Sequence, residues 1–180
     1  MPANPTPLAT EISSEGNDGR AHAVRAASAT LLVEELCGCP LPELTKEHLE
    51  RQLDPAELEP GVKGSNCVAH VLAALGALDL LPRHLITPEL LRLRERPTSE
   101  ANGLGLTVAH RAALHRHTAT LPRELLTPEL LALTAGAGSS VFFDAVMAGD
   151  SSAIPPTSFT PELMRQQGPS GLPLIHSIAS

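Results

Sequence analysis

The pattern of apolar and polar positions along this chain repeats itself. Leu81-Pro82-Arg83-His84-Leu85-Ile86-Thr87-Pro88-Glu89-Leu90-Leu91 returns as Leu121-Pro122-Arg123-Glu124-Leu125-Leu126-Thr127-Pro128-Glu129-Leu130-Leu131 with two substitutions, and a worn copy follows at Phe159-Thr160-Pro161-Glu162-Leu163-Met164. Pro82 breaks any helix drawn continuously from Leu78 to Leu93, so the pattern predicts a short turn followed by a new helix at Thr87. Thr87, Thr127 and Thr160 are the predicted N-caps. The proline after each has the preset ring angle that suits the first helical position, and the glutamate after that favours the positive end of the helix dipole. Leu85, Ile86, Leu90, Leu91 and Leu93 are the core candidates, each stabilising by about 1.5 to 3 kcal/mol when fully buried.

A second landmark sets the register. His70 in Cys67-Val68-Ala69-His70 matches His110 in Thr107-Val108-Ala109-His110, and Phe143 and His176 take the equivalent places, giving intervals of 40, 33 and 33 residues. The loop around Arg96 to Ala101 lengthens the first interval. Thr107 is placed to cap a helix running to about His117, and small Ala109, Ala112 and Ala113 let neighbouring helices approach closely. Gly76 and Gly149 occupy the matching exit, where a left-handed residue closes a helix without steric cost. Arg116 stands there in the middle copy and predicts a strained or differently ended helix. Upstream, Val24, Ala27, Leu31, Leu32 and Leu36 predict a helix over 21–36, stopped by Cys37-Gly38-Cys39-Pro40. Leu41-Pro42-Glu43-Leu44-Thr45-Lys46-Glu47-His48-Leu49 is a shortened echo of the repeated phrase. Residues 1–20 are too poor in large apolar side chains to repay ordering entropy and are expected to be a disordered tail.

These recurrences predict an all-α chain: a degenerate helical unit over 21–63, then repeats over 64–103, 104–135 and 136–167, with a partial one over 168–180. Composition narrows the rest. The 180 residues carry a formal net charge of −7, with no Trp, no Tyr and three Phe. Residues 1–63 hold eleven acidic and five basic side chains, while 64–180 hold nine and eight. That sign is wrong for a nucleic-acid surface, and stacking aromatics are scarce. No run of about twenty apolar residues would span a membrane, and Met1 to Arg20 lacks the regions of a signal peptide, so cytoplasmic residence is the expectation. Three cysteines cannot make a fully paired disulfide framework.

Gly105-Leu106-Thr107-Val108-Ala109-His110-Arg111-Ala112-Ala113 followed by Leu121 to Leu131 resembles the ankyrin-repeat superfamily, in particular a divergent bacterial form. The resemblance covers 64–180 clearly and 21–63 faintly. It implies a helical repeat solenoid in which His70, His110 and His176 tie one unit's loop to the next. It also implies a concave face lined by the first helix of each unit. Transferred onto this chain, the exposed positions become Val71, Ala74 and Leu75, then Arg111, Leu114 and His115, then Asp144, Met147 and Ala148. The function implied is non-catalytic binding of a protein partner, with no cofactor. An apolar edge at the incomplete last unit would offer a route to self-association.

Other chemistry is thin. Cys37-Gly38-Cys39 with His48 supplies three soft ligands for zinc but no fourth, which leaves a metal- or thiol-dependent regulator as the rival reading. A shortened repeat protein without independent activity is another. His115-Arg116-His117 complements the negative end of a helix dipole. There is no Gly-rich phosphate loop, nucleophile elbow or His-Glu-x-x-His pattern, so enzymatic activity is not expected.

Overall fold

A computed structural model describes residues 30–53, 67–96, 105–136, 138–166 and 168. Among them the regular structure is helical, joined by isolated antiparallel bridges. The expected tail, most of the 168–180 segment and His176 lie outside the described residues. So do 21–29 of the first predicted helix.

The helices fall into four consecutive sets. The first holds α1 (30–37) and α2 (Lys46–Glu50); the second, α3 (Val68–Ala74) and α4 (Pro88–Arg92); the third, α5 (Val108–Leu114) and α6 (Pro128–Leu131); the fourth, α7 (Val141–Ala148) and α8 (Pro161–Met164). Two 3-10 turns separate the paired helices in the last three sets, as at Leu78–Leu80 and Arg83–Leu85. Proline opens the second turn each time. Its carbonyl accepts from the residue three ahead at 2.9 Å: Leu85 to Pro82, Leu125 to Pro122 and Ser158 to Pro155. Glu43 bonds to Pro40 in the same way at 2.9 Å. The equivalent proline in the first set is therefore Pro40 rather than Pro42, and the echo there keeps its full length once Cys39-Pro40 is matched to Leu81-Pro82.

The short second helices begin where the threonines predict. Thr87, Thr127 and Thr160 accept the amide protons of Leu90, Leu130 and Leu163 at 3.3, 3.4 and 3.3 Å. With only four or five residues, these helices cannot stand alone, and tertiary packing must hold them. One backbone bond recurs at every handover from set to set: Val68 to Arg51, Val108 to Leu93 and Val141 to Leu133, at 3.1, 3.2 and 3.1 Å. The first helices α3, α5 and α7 pack in succession. Their facing residues Ala69, Ala73, Ala109, Ala112, Ala113 and Ala145 are fully buried, because only a methyl group fits between close backbones. One continuous core runs from Val33 to Leu163, anchored by Leu72, Leu78, Leu91, Leu131 and Phe142.

The exits of the first helices share one geometry. Ala77, His117 and Asp150 donate to carbonyls five residues back, at Leu72, Ala112 and Ala145, over 2.9, 2.8 and 2.8 Å. This closure requires a left-handed residue just before the donor. Gly76 and Gly149 adopt φ of 69° and 76°, and Arg116 adopts 64°. The helix predicted to reach His117 thus ends at Leu114, three residues earlier, on the same closure as its neighbours but without the glycine.

Candidate interaction surface

Two recurring rows of side chains result, one inside the molecule and one outside. The inner row starts at the helix caps. Thr107 Oγ1 accepts from the His110 amide at 3.3 Å, and the Thr107 amide donates to His110 Nδ1, also at 3.3 Å. Because Nδ1 accepts, the proton sits on Nε2, which faces the Ser139 carbonyl at 3.3 Å. His70 repeats this with Cys67 in place of threonine: Nδ1 lies 2.9 Å from Sγ, and Nε2 lies 3.0 Å from the Leu93 carbonyl. That same carbonyl accepts from Val108, so the ring braces the connection between the second and third sets. Both imidazoles are buried, and burial pushes each pKa down to about 4. They are neutral at ordinary pH.

Cys67 and His70 have the proximity of a nucleophile and its base but not the electrostatics. Burial raises the thiol's pKa, which is the opposite of activation. In the fourth set Ser140 caps Phe143 at 3.1 Å, and the ring replaces the hydrogen bonds with shape. A Cβ on Gly168 would lie 2.3 Å from Phe143 Cζ, so the backbone after α8 presses directly on the ring.

The outer row lies at the helix exits. Leu75 at the end of α3, Leu114 at the end of α5 and Met147 near the end of α7 are 38, 42 and 51 % exposed, and His115 is exposed beside them. Three other expected surface positions are not surface. Val71 and Asp144 are 4 and 6 % exposed, and Ala74 is buried as well. Val71 and Asp144 sit one turn before the exits, whereas Ala74 ends α3 directly beside Leu75. Asp144 has a pKa raised to about 6 by burial, with Ser139 as a hydrogen-bond partner at 3.4 Å. Arg111 occupies the equivalent position in α5 and is held in a nearly buried ion pair, its Nε 2.5 Å from Glu95 Oε1. A guanidinium so committed is a structural link rather than a contact offered to a partner.

No periodicity signals that pair, because Glu95 belongs to the irregular stretch after α4. Arg94 beside it was equally hidden. It donates to the Gly105 carbonyl at 2.8 Å and to Thr134, its own counterpart one set later, at 2.9 Å. On the side of the 3-10 turns, a groove of about 360 Å³ is bordered by Asp79, Ile86, Thr120 and Arg123, with Arg83 and Glu124 ion-paired across it. Both partners are well exposed, so solvent and salt screen the pair and it adds little to the fold.

Cys37, Cys39 and His48 do not assemble into a ligand set: among the described residues no group of three His, Cys, Asp or Glu side chains is placed to hold a metal. Burial and the neighbouring Cys39 push the Cys37 thiol up to about 11. His48 Nδ1 is occupied instead by the Thr45 amide at 3.1 Å. No described helix is long and apolar enough to cross a membrane. Comparison of the chain with protein-family models, curated proteins and solved structures finds no match.

Proposed function

We propose that this chain is a non-catalytic interaction module, an ankyrin-like helical repeat stack that binds a protein partner along the exits of its first helices. The observation that carries the reading is the outer row: Leu75, Leu114 and Met147 face water at equivalent or adjacent positions of three helices packed in succession. Scattered exposed leucines mean little, but large apolar groups aligned across neighbouring elements mark binding surfaces. The docking set is Leu75, Leu114, His115 and Met147, without Val71, Asp144 or Arg111. The inner histidines serve the stack, bracing one set against the next.

A photo-crosslinking residue introduced at Leu114 or at Met147 tests this in the source cells. Both sites should capture the same protein, Leu114→Glu should abolish capture at Met147, and a control at exposed Arg92 in α4 should not capture it. Equal capture from all three positions, or loss of the fold in Leu114→Glu, would contradict the surface.

A further inference from the structure

We propose that Cys37 and Cys39 are a reversible dithiol pair, a redox latch on the exit of α1 that a small-molecule disulfide closes and a thiol reopens. The two residues flank Gly38, whose φ of 70° lies in the left-handed region. A helical turn of either hand sets residues two apart at about 5.4 Å between Cα atoms, inside the range of roughly 4.4 to 6.8 Å that a disulfide spans. Both side chains turn toward the same apolar cluster, Cys37 within it and Cys39 packed against its border. Both are free thiols. Glu34 holds the backbone that carries them: its carbonyl accepts the Gly38 amide proton at 2.8 Å, and its Oε1 accepts that of Leu41 at 3.3 Å. Each sulfur is within electrostatic reach of the other, since Cys39 helps to push up the Cys37 pKa. Two groups fixed this close react with each other in preference to partners in solution, because their effective concentration is high.

Burial decides the order of events. Cys37 is 4 % exposed, whereas Cys39 is half-buried. Open space lies between them, where a Cβ on Gly38 would meet nothing within 4 Å. Cys39 is therefore the entry thiol. Its thiolate attacks one sulfur of the small-molecule disulfide, whose S–S bond breaks and releases one thiolate. Cys37 then gives its proton to solvent and attacks Cys39 Sγ, expelling the second thiolate. The two protein sulfurs are oxidised to one internal disulfide, and the reagent is reduced to a pair of thiols. Cys67 takes no part, because it is 1 % exposed and its Sγ lies 2.9 Å from His70 Nδ1. Closure draws the Cys37 sulfur out of the core toward its border, at the end of α1 where Arg51 donates to the Leu36 carbonyl. The Arg51 carbonyl in turn accepts from Val68, the first residue of α3, so the latch acts where the first set joins the second.

Oxidised glutathione added to the full chain, followed by alkylation and peptide mass mapping, tests this. The peptide holding both cysteines should take up no alkyl group and lose a pair of hydrogens, while Cys67 is alkylated once the chain is unfolded. Cys37→Ala should instead keep glutathione on Cys39, and Cys39→Ser should leave Cys37 unmodified. Hydrogen exchange in the oxidised chain should rise roughly tenfold across α1 and stay unchanged across α5 and α7, and dithiothreitol should reverse the change. Glutathione retained on Cys39 in the parent, disulfide-linked dimers in place of the internal bond, or modification of Cys37 in Cys39→Ser would overturn the pairing. An internal bond that leaves exchange across α1 unchanged would overturn the latch.

Discussion

The connection after α6 and the connection after α8 meet the same requirement with different chemistry. After α6, His110 reaches from α5 to the Ser139 carbonyl and fixes the chain as it enters α7. After α8, Phe143 in the equivalent place offers no hydrogen bond, and Gly168 settles against its ring. The first solution is directional and works only while the imidazole is neutral. The second is indifferent to pH but tolerates no side chain at 168. Two matching connections can thus be held by a polar brace in one case and a steric one in the other, provided the contacting residue changes too.

Copying the last solution into the middle should have the largest effect. His110→Phe leaves the Thr107 amide without its partner and removes one of the two donors to the Ser139 carbonyl, which keeps only Ala135, while adding bulk in a closed site. A loss of about 3 to 4 kcal/mol in urea unfolding followed by circular dichroism is expected. A loss under about 1 kcal/mol would mean the histidine braces nothing.

Acid should separate the two connections next. His70 and His110 are held near pKa 4 by burial against an ordinary 6.5, so the unfolded chain binds their protons more readily. Their contribution is complete above pH 6.5 and is lost as pH falls toward 4, roughly 3 kcal/mol each. Asp144 works in the opposite sense. Its pKa, raised from 3.8 to about 6, gives a contribution complete below 3.8 and lost as pH rises through 6, also roughly 3 kcal/mol. Two histidines outweigh one aspartate, leaving a net loss on the order of 3 kcal/mol between pH 6.5 and 4. Denaturant titrations across that window should show it. Stability that rises toward pH 4 would contradict neutral buried imidazoles.

At the other connection, Gly168→Ala should cost about 1 to 3 kcal/mol by overpacking, and Phe143→Leu in the same chain should recover part of it. A fully additive pair would show that the two residues do not touch. A smaller change, of opposite sign, is expected at the helix exit. Arg116→Gly should stabilise by about 1 kcal/mol, because glycine adopts the left-handed conformation freely.

Much of this was written in the local code. The Thr-Pro-Glu starts, the break at proline and the left-handed exits depend on a few neighbouring residues, and each fell where those residues direct. In the first set Leu41-Pro42 matches the repeated phrase only by coincidence, while Pro40 opens the 3-10 turn. The surface was only partly legible. Val71 and Asp144 follow helical periodicity onto the first helices' outer side, but whether that side meets water depends on how far the preceding connection folds over it. Arg111 was lost for the same reason: its partner Glu95 comes from an irregular segment whose path no periodicity encodes.

The central claim is that the helix exits are surface held ready for a partner while the row one turn earlier belongs to the fold. Thermal unfolding of Leu114→Glu measures it most directly. The account predicts a stability within about 0.5 kcal/mol of the parent, as for a charge added to an exposed site. A loss of several kcal/mol would place Leu114 in the core and contradict the docking face.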